Sequence, residues 1–67
     1  MTASLLPPHK ITLADELRAA IRELHMRQSV YPRWVAGNKM KQSTADHEIA
    51  CMSAIVERLE AIRDRGK

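Results

Sequence analysis

The connector between two segments of helical periodicity reads Val30-Tyr31-Pro32-Arg33-Trp34-Val35-Ala36-Gly37-Asn38-Lys39-Met40. It holds both aromatic residues of the chain, one of its three prolines and one of its two glycines. Pro32 disfavours a helical conformation at the preceding residue and cannot donate a backbone hydrogen bond to an earlier carbonyl. We therefore predict that a first helix ends near Ser29 or Val30, and that Pro32 and Gly37 bracket a single helical turn over residues 33–36.

The segment before the connector predicts a helix over residues 13–29. Thr12 and Asp15 have the spacing of an acidic capping box, in which each side chain bonds the other residue's backbone amide. Apolar residues then recur at intervals of three and four, at Leu13, Leu17, Ala20, Ile21 and Leu24. This spacing indicates one buried face and one exposed face.

The segment after the connector predicts a second helix over about residues 42–64. Ser43 and Asp46 repeat the capping pattern, with Lys41 and Gln42 left as an alternative start. The apolar face of this helix is wider than one partner helix covers, which implies a second partner. We predict that a dimer core is formed by Ile49, Met52, Ile55, Val56, Leu59 and Ile62.

Together these features predict an all-α fold, an antiparallel two-helix hairpin over residues 12–67 with a connector over 30–41 and a flexible N-terminal arm over 1–11. A chain of 67 residues buries only roughly 60% of its unfolded surface, which is marginal for independent stability. Cys51 is the only cysteine, so no internal disulfide is available. We expect two hairpins to associate by twofold symmetry into a four-helix homodimer.

Composition and charge favour a cytoplasmic protein without a membrane partner. Eleven Lys and Arg against eight Asp and Glu give a net charge of +3 without a run of like charges. The first eight residues contain a two-leucine run and two prolines, which predicts neither a signal peptide nor a membrane span. A lone cysteine without a secretory signal fits a reducing compartment.

The connector also supplies the candidate partner-binding residues Tyr31, Arg33 and Trp34, because these residue types dominate the hot spots of protein interfaces. The alternative is structural, since a single tryptophan is often the largest piece of so small a core. We favour a core placement for Trp34 and exposure for Arg33, while Tyr31 fits either.

A second candidate surface would bind anions through Arg18, Arg22, Lys39 and Lys41. A helix-turn-helix needs a turn of three or four residues, whereas the predicted gap here is about a dozen. Sequence-specific RNA binding needs several stacking aromatics, which the chain lacks. We therefore favour scattered solvated charge, with nucleic-acid or nucleotide binding as the alternative.

The sequence gives little support for a metal site or for catalysis. His47 and Cys51 share a helix face and suit zinc, but only His9 and His25 remain as further histidines, and neither has a supporting spacing. We predict exposed helix positions for His47 and Glu48, and a place for Cys51 at the edge of the core or in the dimer interface. No metal, no cofactor and no enzymatic activity are predicted, because no nucleophile has a paired base.

The segments 24–40 and 45–55, which include the run Val30-Tyr31-Pro32-Arg33-Trp34-Val35, resemble a group of short hypothetical proteins encoded in phages and prophages of proteobacteria. The likeness extends over roughly residues 24–62. It implies a bacterial host cell as the setting and supplies no catalytic or binding residues. Lys41 stands where similar sequences are expected to have a capping Thr or Ser.

The resulting hypothesis is a small phage-type protein-protein interaction module that inhibits or modulates a host protein, or binds a phage protein. Nucleic-acid binding through the basic residues is the first alternative. A structural or assembly factor of a virion is the second, and it predicts self-association beyond a dimer.

Overall fold

The computed structural model describes residues 10–66, over which the chain forms two α-helices joined by a short loop. The first helix, α1, spans Leu13–Ala36 and the second, α2, spans Gln42–Arg65. No strand occurs within residues 10–66, so the predicted all-α helical hairpin is confirmed. Most of the predicted N-terminal arm, residues 1–9, lies outside the described part of the chain.

The start of α1 is the predicted capping box. The Asp15 amide donates to Thr12 Oγ1 at 3.1 Å, and the Thr12 amide donates to Asp15 Oδ2 at 3.0 Å. Arg18 Nη2 donates to the other Asp15 carboxylate oxygen at 2.7 Å. The hydrogen bonds from Thr12, assisted by the Arg18 charge, lower the pKa of Asp15 below its ordinary value. The predicted first residue, Leu13, is therefore confirmed.

The predicted end of this helix at Ser29 or Val30 is wrong, because α1 continues through Pro32 to Ala36. The separate one-turn helix predicted over residues 33–36 is instead the last turn of α1. The first helix is thus two turns longer than the sequence pattern suggested, and both aromatic residues lie within it.

α1 continues past Pro32 because a continuous helix keeps its partly buried residues on one face. A proline in a helix interior costs about 3 kcal/mol, because its missing amide leaves the carbonyl four residues earlier, here that of Gln28, without a partner. Leu24, Tyr31 and Val35 are spaced seven and four residues apart, so a continuous helix places them on one face, and all three are half-buried. Their burial and the hydrogen-bonded end of the helix offset the loss at Pro32.

The connector is the five-residue stretch 37–41 rather than the predicted 30–41. α1 ends in a Schellman motif, in which the Asn38 amide donates to the Val35 carbonyl at 3.0 Å and the Lys39 amide donates to the Trp34 carbonyl at 2.8 Å. Asn38 takes the left-handed conformation with φ of 59°, whereas Gly37 has φ of −89°. The position that turns the chain is therefore Asn38.

The predicted Ser43 cap of α2 is wrong, since Gln42 is already helical and Lys41 is the capping residue. The Lys41 side chain makes no capping hydrogen bond. Ser43 therefore lies inside the helix, and Asp46 accepts a hydrogen bond from Gln42 Nε2 at 2.9 Å, one helical turn before it. The other end of α2, Arg65, lies one residue beyond the predicted boundary.

The helices pack antiparallel around a small core. Leu17 and Ala20, from the first half of α1, share a buried cluster with Met52 and Val56, from the middle of α2. Partly buried residues pack against this cluster at Ile21, Leu24 and Leu59. In the described part of the chain no side chain is completely removed from solvent, so the core is thin. Neither α1 nor α2 combines the length and the apolarity needed to cross a lipid bilayer.

Candidate functional site

The most distinctive surface feature is a pair of stacked aromatic rings on the last turns of α1. The ring centroids of Tyr31 and Trp34 are 5.5 Å apart and the ring planes are inclined by 23°. Residues three apart on a helix are neighbours on its surface, so the extension of α1 past Pro32 is what brings the rings together. Tyr31 is half-buried, whereas Trp34 is 43% exposed.

Arg27 fixes the inner ring of this pair. Its guanidinium carbon lies 6.0 Å from the centroid of the Tyr31 ring, within the range of a cation-π contact. Arg27 Nε donates to Glu23 Oε2 at 2.9 Å, while Nη1 donates to the Glu48 carbonyl at 2.8 Å and lies 3.4 Å from Glu48 Oε1. The hydrogen bond to Glu23 raises the pKa of Arg27 above its ordinary value. Arg27 thus fastens α1 to α2 beside the rings.

We call Arg27, Tyr31 and Trp34 the aromatic site. Their spacing of four and three residues places them on one face of α1. Glu23 and Arg27 have the four-residue spacing of an ion pair along a helix, and they form one. The sequence analysis did not connect Arg27 with the aromatic residues. The four- and three-residue spacing of Arg27, Tyr31 and Trp34 was the available signal. The helix end predicted before Pro32 placed Arg27 and the aromatic residues in different elements, so the spacing was not recognised.

The three residues predicted to form the partner-binding surface are therefore only partly brought together. Tyr31 and Trp34 stack, whereas Arg33 is exposed and lies two positions from Tyr31, which puts it on another side of the helix. The favoured core placement of Trp34 is wrong, because its neighbour Val35 is the residue that turns inward. The half-exposed Trp34 ring is left as the apolar contact surface of this region.

The connector end of the hairpin is basic. None of the eight Asp and Glu residues of the chain falls between positions 24 and 45, whereas Arg27, Arg33, Lys39 and Lys41 do. The last three are exposed. An open concavity of about 470 Å³ lies at the loop and is lined by Val35, Asn38, Lys39, Met40, Lys41 and Gln42. This end of the molecule combines an exposed aromatic ring with an excess of basic residues.

The four predicted anion-binding residues do not form one patch. Arg18 and Arg22 lie in the first half of α1, and Lys39 and Lys41 lie beyond its other end. The helix rises about 21 Å between residue 22 and its last residue, so the two pairs are on separate parts of the hairpin. Arg18 is also paired with Asp15 at 2.7 Å.

The dozen-residue gap invoked against a helix-turn-helix is wrong, because the loop has five residues. A different observation speaks against that motif. Arg27 contacts Glu48 near the loop, and Leu17 shares a cluster with Val56 far from it, so α1 and α2 run alongside each other. A helix-turn-helix instead crosses its helices at about 90–120°.

The side chains of His47 and Cys51 are in contact, with His47 Nε2 lying 3.4 Å from Cys51 Sγ. Both residues are exposed, so Cys51 lies outside the hairpin core. Within residues 10–66 no group of three metal-ligating side chains occurs, and His9 falls outside that range.

The six residues predicted to form a dimer core divide into three groups. Met52 and Val56 are buried within the hairpin itself, and Ile49 and Leu59 are half-buried. Ile55 and Ile62 are exposed by 43% and 42%. Comparisons of the chain with protein-family models, with curated proteins and with solved structures found no match.

Proposed function

We propose that this chain is a protein-protein interaction module that uses the aromatic site and the basic connector end to bind an acidic protein partner, without a reaction of its own. The observation that carries the proposal is the exposed ring of Trp34, stacked on Tyr31 in a stretch of the chain that contains basic but no acidic residues. Tryptophan, tyrosine and arginine are the residue types that contribute most to binding at protein interfaces.

The arrangement suits binding because the ring is already held in place. Trp34 lies on α1 and stacks on Tyr31, whose ring is contacted by the guanidinium of Arg27. A side chain fixed before binding loses little conformational entropy when the partner arrives. The aromatic site therefore offers apolar contact area at a low entropic cost.

The positive charge at the loop end of the hairpin favours an acidic partner. Arg33, Lys39 and Lys41 are exposed at the loop end of the hairpin, and the stretch between positions 24 and 45 contains no Asp or Glu. A complementary surface would place an apolar pocket for Trp34 among Asp and Glu side chains. In the phage setting implied by the resemblance, we propose a host or phage protein in this role, and a host protein inhibited or modulated by the contact.

The test uses Trp34→Ala with Met26→Ala as the matched control. Met26 is also on α1 and is 41% exposed, but it lies off the face of the aromatic site. Immobilised wild-type protein is exposed to nuclease-treated bacterial lysate, and retained proteins are identified by mass spectrometry. We expect one acidic protein to be retained by the wild type and by Met26→Ala, and lost by Trp34→Ala.

The contribution of the basic residues to affinity is then tested with the purified partner. Affinity should fall as salt rises, and Lys39→Glu with Lys41→Glu should weaken binding about tenfold or more, since rim charges chiefly steer association. A partner that binds Trp34→Ala as well as wild type contradicts the proposal. Retention only in lysate that has not been treated with nuclease would point instead to nucleic acid.

A further inference from the structure

An apolar groove of about 370 Å³ lies at the open end of the hairpin, opposite the loop. Leu13, Leu17 and Ile21 follow one another at intervals of four residues on one side of α1 and line this groove. Its other lining residues are Ala14, Arg18 and Arg63. The volume is more than twice the roughly 150 Å³ of an apolar cavity that holds a benzene-sized group. The groove therefore has room for an aliphatic side chain from outside α1 and α2.

The two basic residues of the groove already have acidic partners. Arg18 Nη2 lies 2.7 Å from Asp15 Oδ1, and Arg63 Nε lies 3.1 Å from Asp64 Oδ1. An acidic occupant would compete with these carboxylates, whereas an uncharged apolar occupant leaves both ion pairs in place. Burial of an uncharged aliphatic side chain also carries no desolvation penalty for a charge. The groove is therefore suited to an uncharged aliphatic segment.

The described residues just before α1 do not fill the groove. Ile11 is 69% exposed and is not among the lining residues. The preceding residues 1–8 carry no charged side chain and include the dipeptide Leu5-Leu6, followed by Pro7-Pro8. They lie outside the described part of the chain. By composition, this dipeptide is the kind of segment that the groove accepts.

We propose that the Leu5-Leu6 segment of the same chain docks in the groove, with residues 5–8 antiparallel to the first turns of α1. This placement differs from the flexible arm predicted from the sequence. Leu17 belongs to the buried cluster of the hairpin, and Ile21 packs against that cluster. The docked leucines extend this cluster at the open end of the hairpin and are themselves removed from water.

The length of the connection matches the length of the groove. Helix α1 rises about 12 Å between Leu13 and Ile21. Pro7-Pro8 favours the polyproline conformation, which rises about 3.1 Å per residue, so the four residues from Lys10 back to Leu6 span about 12 Å. A chain that turns back along α1 at Lys10 therefore brings Leu6 level with Ile21.

Covalent connection favours the chain's own leucines over those of a second copy. A segment tethered by a short linker meets its site at an effective concentration in the mM range. The contact does not rest on the proposed function, because Ile21 and Trp34 are about 20 Å apart along α1. Trp34→Ala should therefore leave the docking unchanged, and loss of docking should leave partner binding unchanged.

Nuclear magnetic resonance of the full chain tests the contact directly. In isotopically labelled protein we expect nuclear Overhauser effects between the methyl groups of Leu6 and Ile21. A mixture of labelled and unlabelled chains, measured with an isotope filter, reports contacts between chains alone, and there we expect none. Absence of the contact in the labelled sample, or its appearance in the filtered one, would overturn the proposal.

A variant of the arm tests the contribution of docking to stability. Leu5→Ser/Leu6→Ser should lose the contact and lower the thermal unfolding midpoint by about 5 °C or more, because the groove is then exposed to water. Ile11→Ser is the matched control, since Ile11 is an exposed aliphatic residue of the same stretch that does not line the groove. Its midpoint should stay close to that of wild type. Equal midpoints for the two variants would contradict the proposal.

A variant of the groove tests the same contact from the other side. Ala14 is an exposed lining residue in the first turn of α1, where an added carboxylate favours the helix. Ala14→Glu should nevertheless lose the Leu6–Ile21 contact, because it places a charge in the groove. Ala19→Glu, at an exposed position on another side of α1, should keep it. A contact that survives Ala14→Glu would show that the leucines lie elsewhere.

Discussion

Pro32 has no backbone amide to donate to the carbonyl of Gln28, so α1 lacks one hydrogen bond there. Side-chain contacts stabilise this turn of the helix instead. Tyr31 stacks on Trp34 and lies under Arg27, and Val35 turns toward the hairpin interior. A proline in such a position weakens the helix at the place where the exposed ring is carried. Its presence there is a local loss of stability within the candidate site.

We predict that Pro32→Ala raises the free energy of unfolding by about 1–2 kcal/mol. The gain is below the roughly 3 kcal/mol cost of a helix-interior proline, because alanine also increases the conformational freedom of the unfolded chain. Urea denaturation followed by circular dichroism measures the change. An unchanged or lowered unfolding free energy would contradict the view that Pro32 strains a continuous helix.

Substitution of Asn38 in the same region is a control that should lower the free energy of unfolding rather than raise it. Its φ of 59° is left-handed, where a side chain without a local hydrogen-bonding group costs about 1 kcal/mol. Asn38→Ala should lower the unfolding free energy by about that amount, and Asn38→Gly should not. Together the variants separate the helix interior at Pro32 from the helix end at Asn38.

At the scale of the element, the cap of α1 makes helix stability depend on pH. The hydrogen bonds from Thr12 lower the pKa of Asp15 in the folded state below the ordinary value of 3.8. The stabilisation from the ionised carboxylate is therefore fully present above that value and is lost as pH falls through the lowered pKa. We expect Asp15→Asn to unfold at a lower temperature than wild type at neutral pH, and the two to converge in acid.

Thr12→Ala is the control for this prediction. The bond from the Asp15 amide to Thr12 Oγ1 does not titrate, so this variant should melt below wild type at both pH values. Thermal melts followed by circular dichroism at neutral pH and at about pH 2 make the comparison. A deficit of Asp15→Asn that persists in acid would show that the carboxylate charge is not what stabilises the cap.

The elements differ in how much of them could be predicted from sequence. Leu13 as the start of α1 and the apolar periodicity of α2 follow from local rules, and both were predicted. The path through Pro32 depends on burial of the residues that follow it, which a local rule does not contain. The contact of Arg27 with Glu48 joins residues 21 positions apart, so it depended on knowing the length of the loop. The aromatic site was therefore only half predicted.

At the scale of the whole molecule, the two ends of the hairpin differ in chemistry. The loop end carries the exposed Trp34 ring and basic side chains without a carboxylate between positions 24 and 45. The other half of the hairpin carries the exposed side chains of Ile55 and Ile62, flanked by charges of both signs. The loop end is therefore the part of the hairpin that we propose binds the partner.

If two hairpins associate as the sequence predicts, folding and association are one equilibrium and stability must depend on concentration. A tenfold rise in protein concentration adds about 1.4 kcal/mol to the free energy of unfolding a dimer, which raises the unfolding midpoint by several degrees in a chain of this size. We expect this shift for wild type and Met26→Glu, and its absence in any folded fraction of Ile55→Glu/Ile62→Glu. Thermal melts over a hundredfold concentration range measure it. A midpoint that stays constant would mean that the thin core around Leu17 and Met52 sustains the hairpin alone.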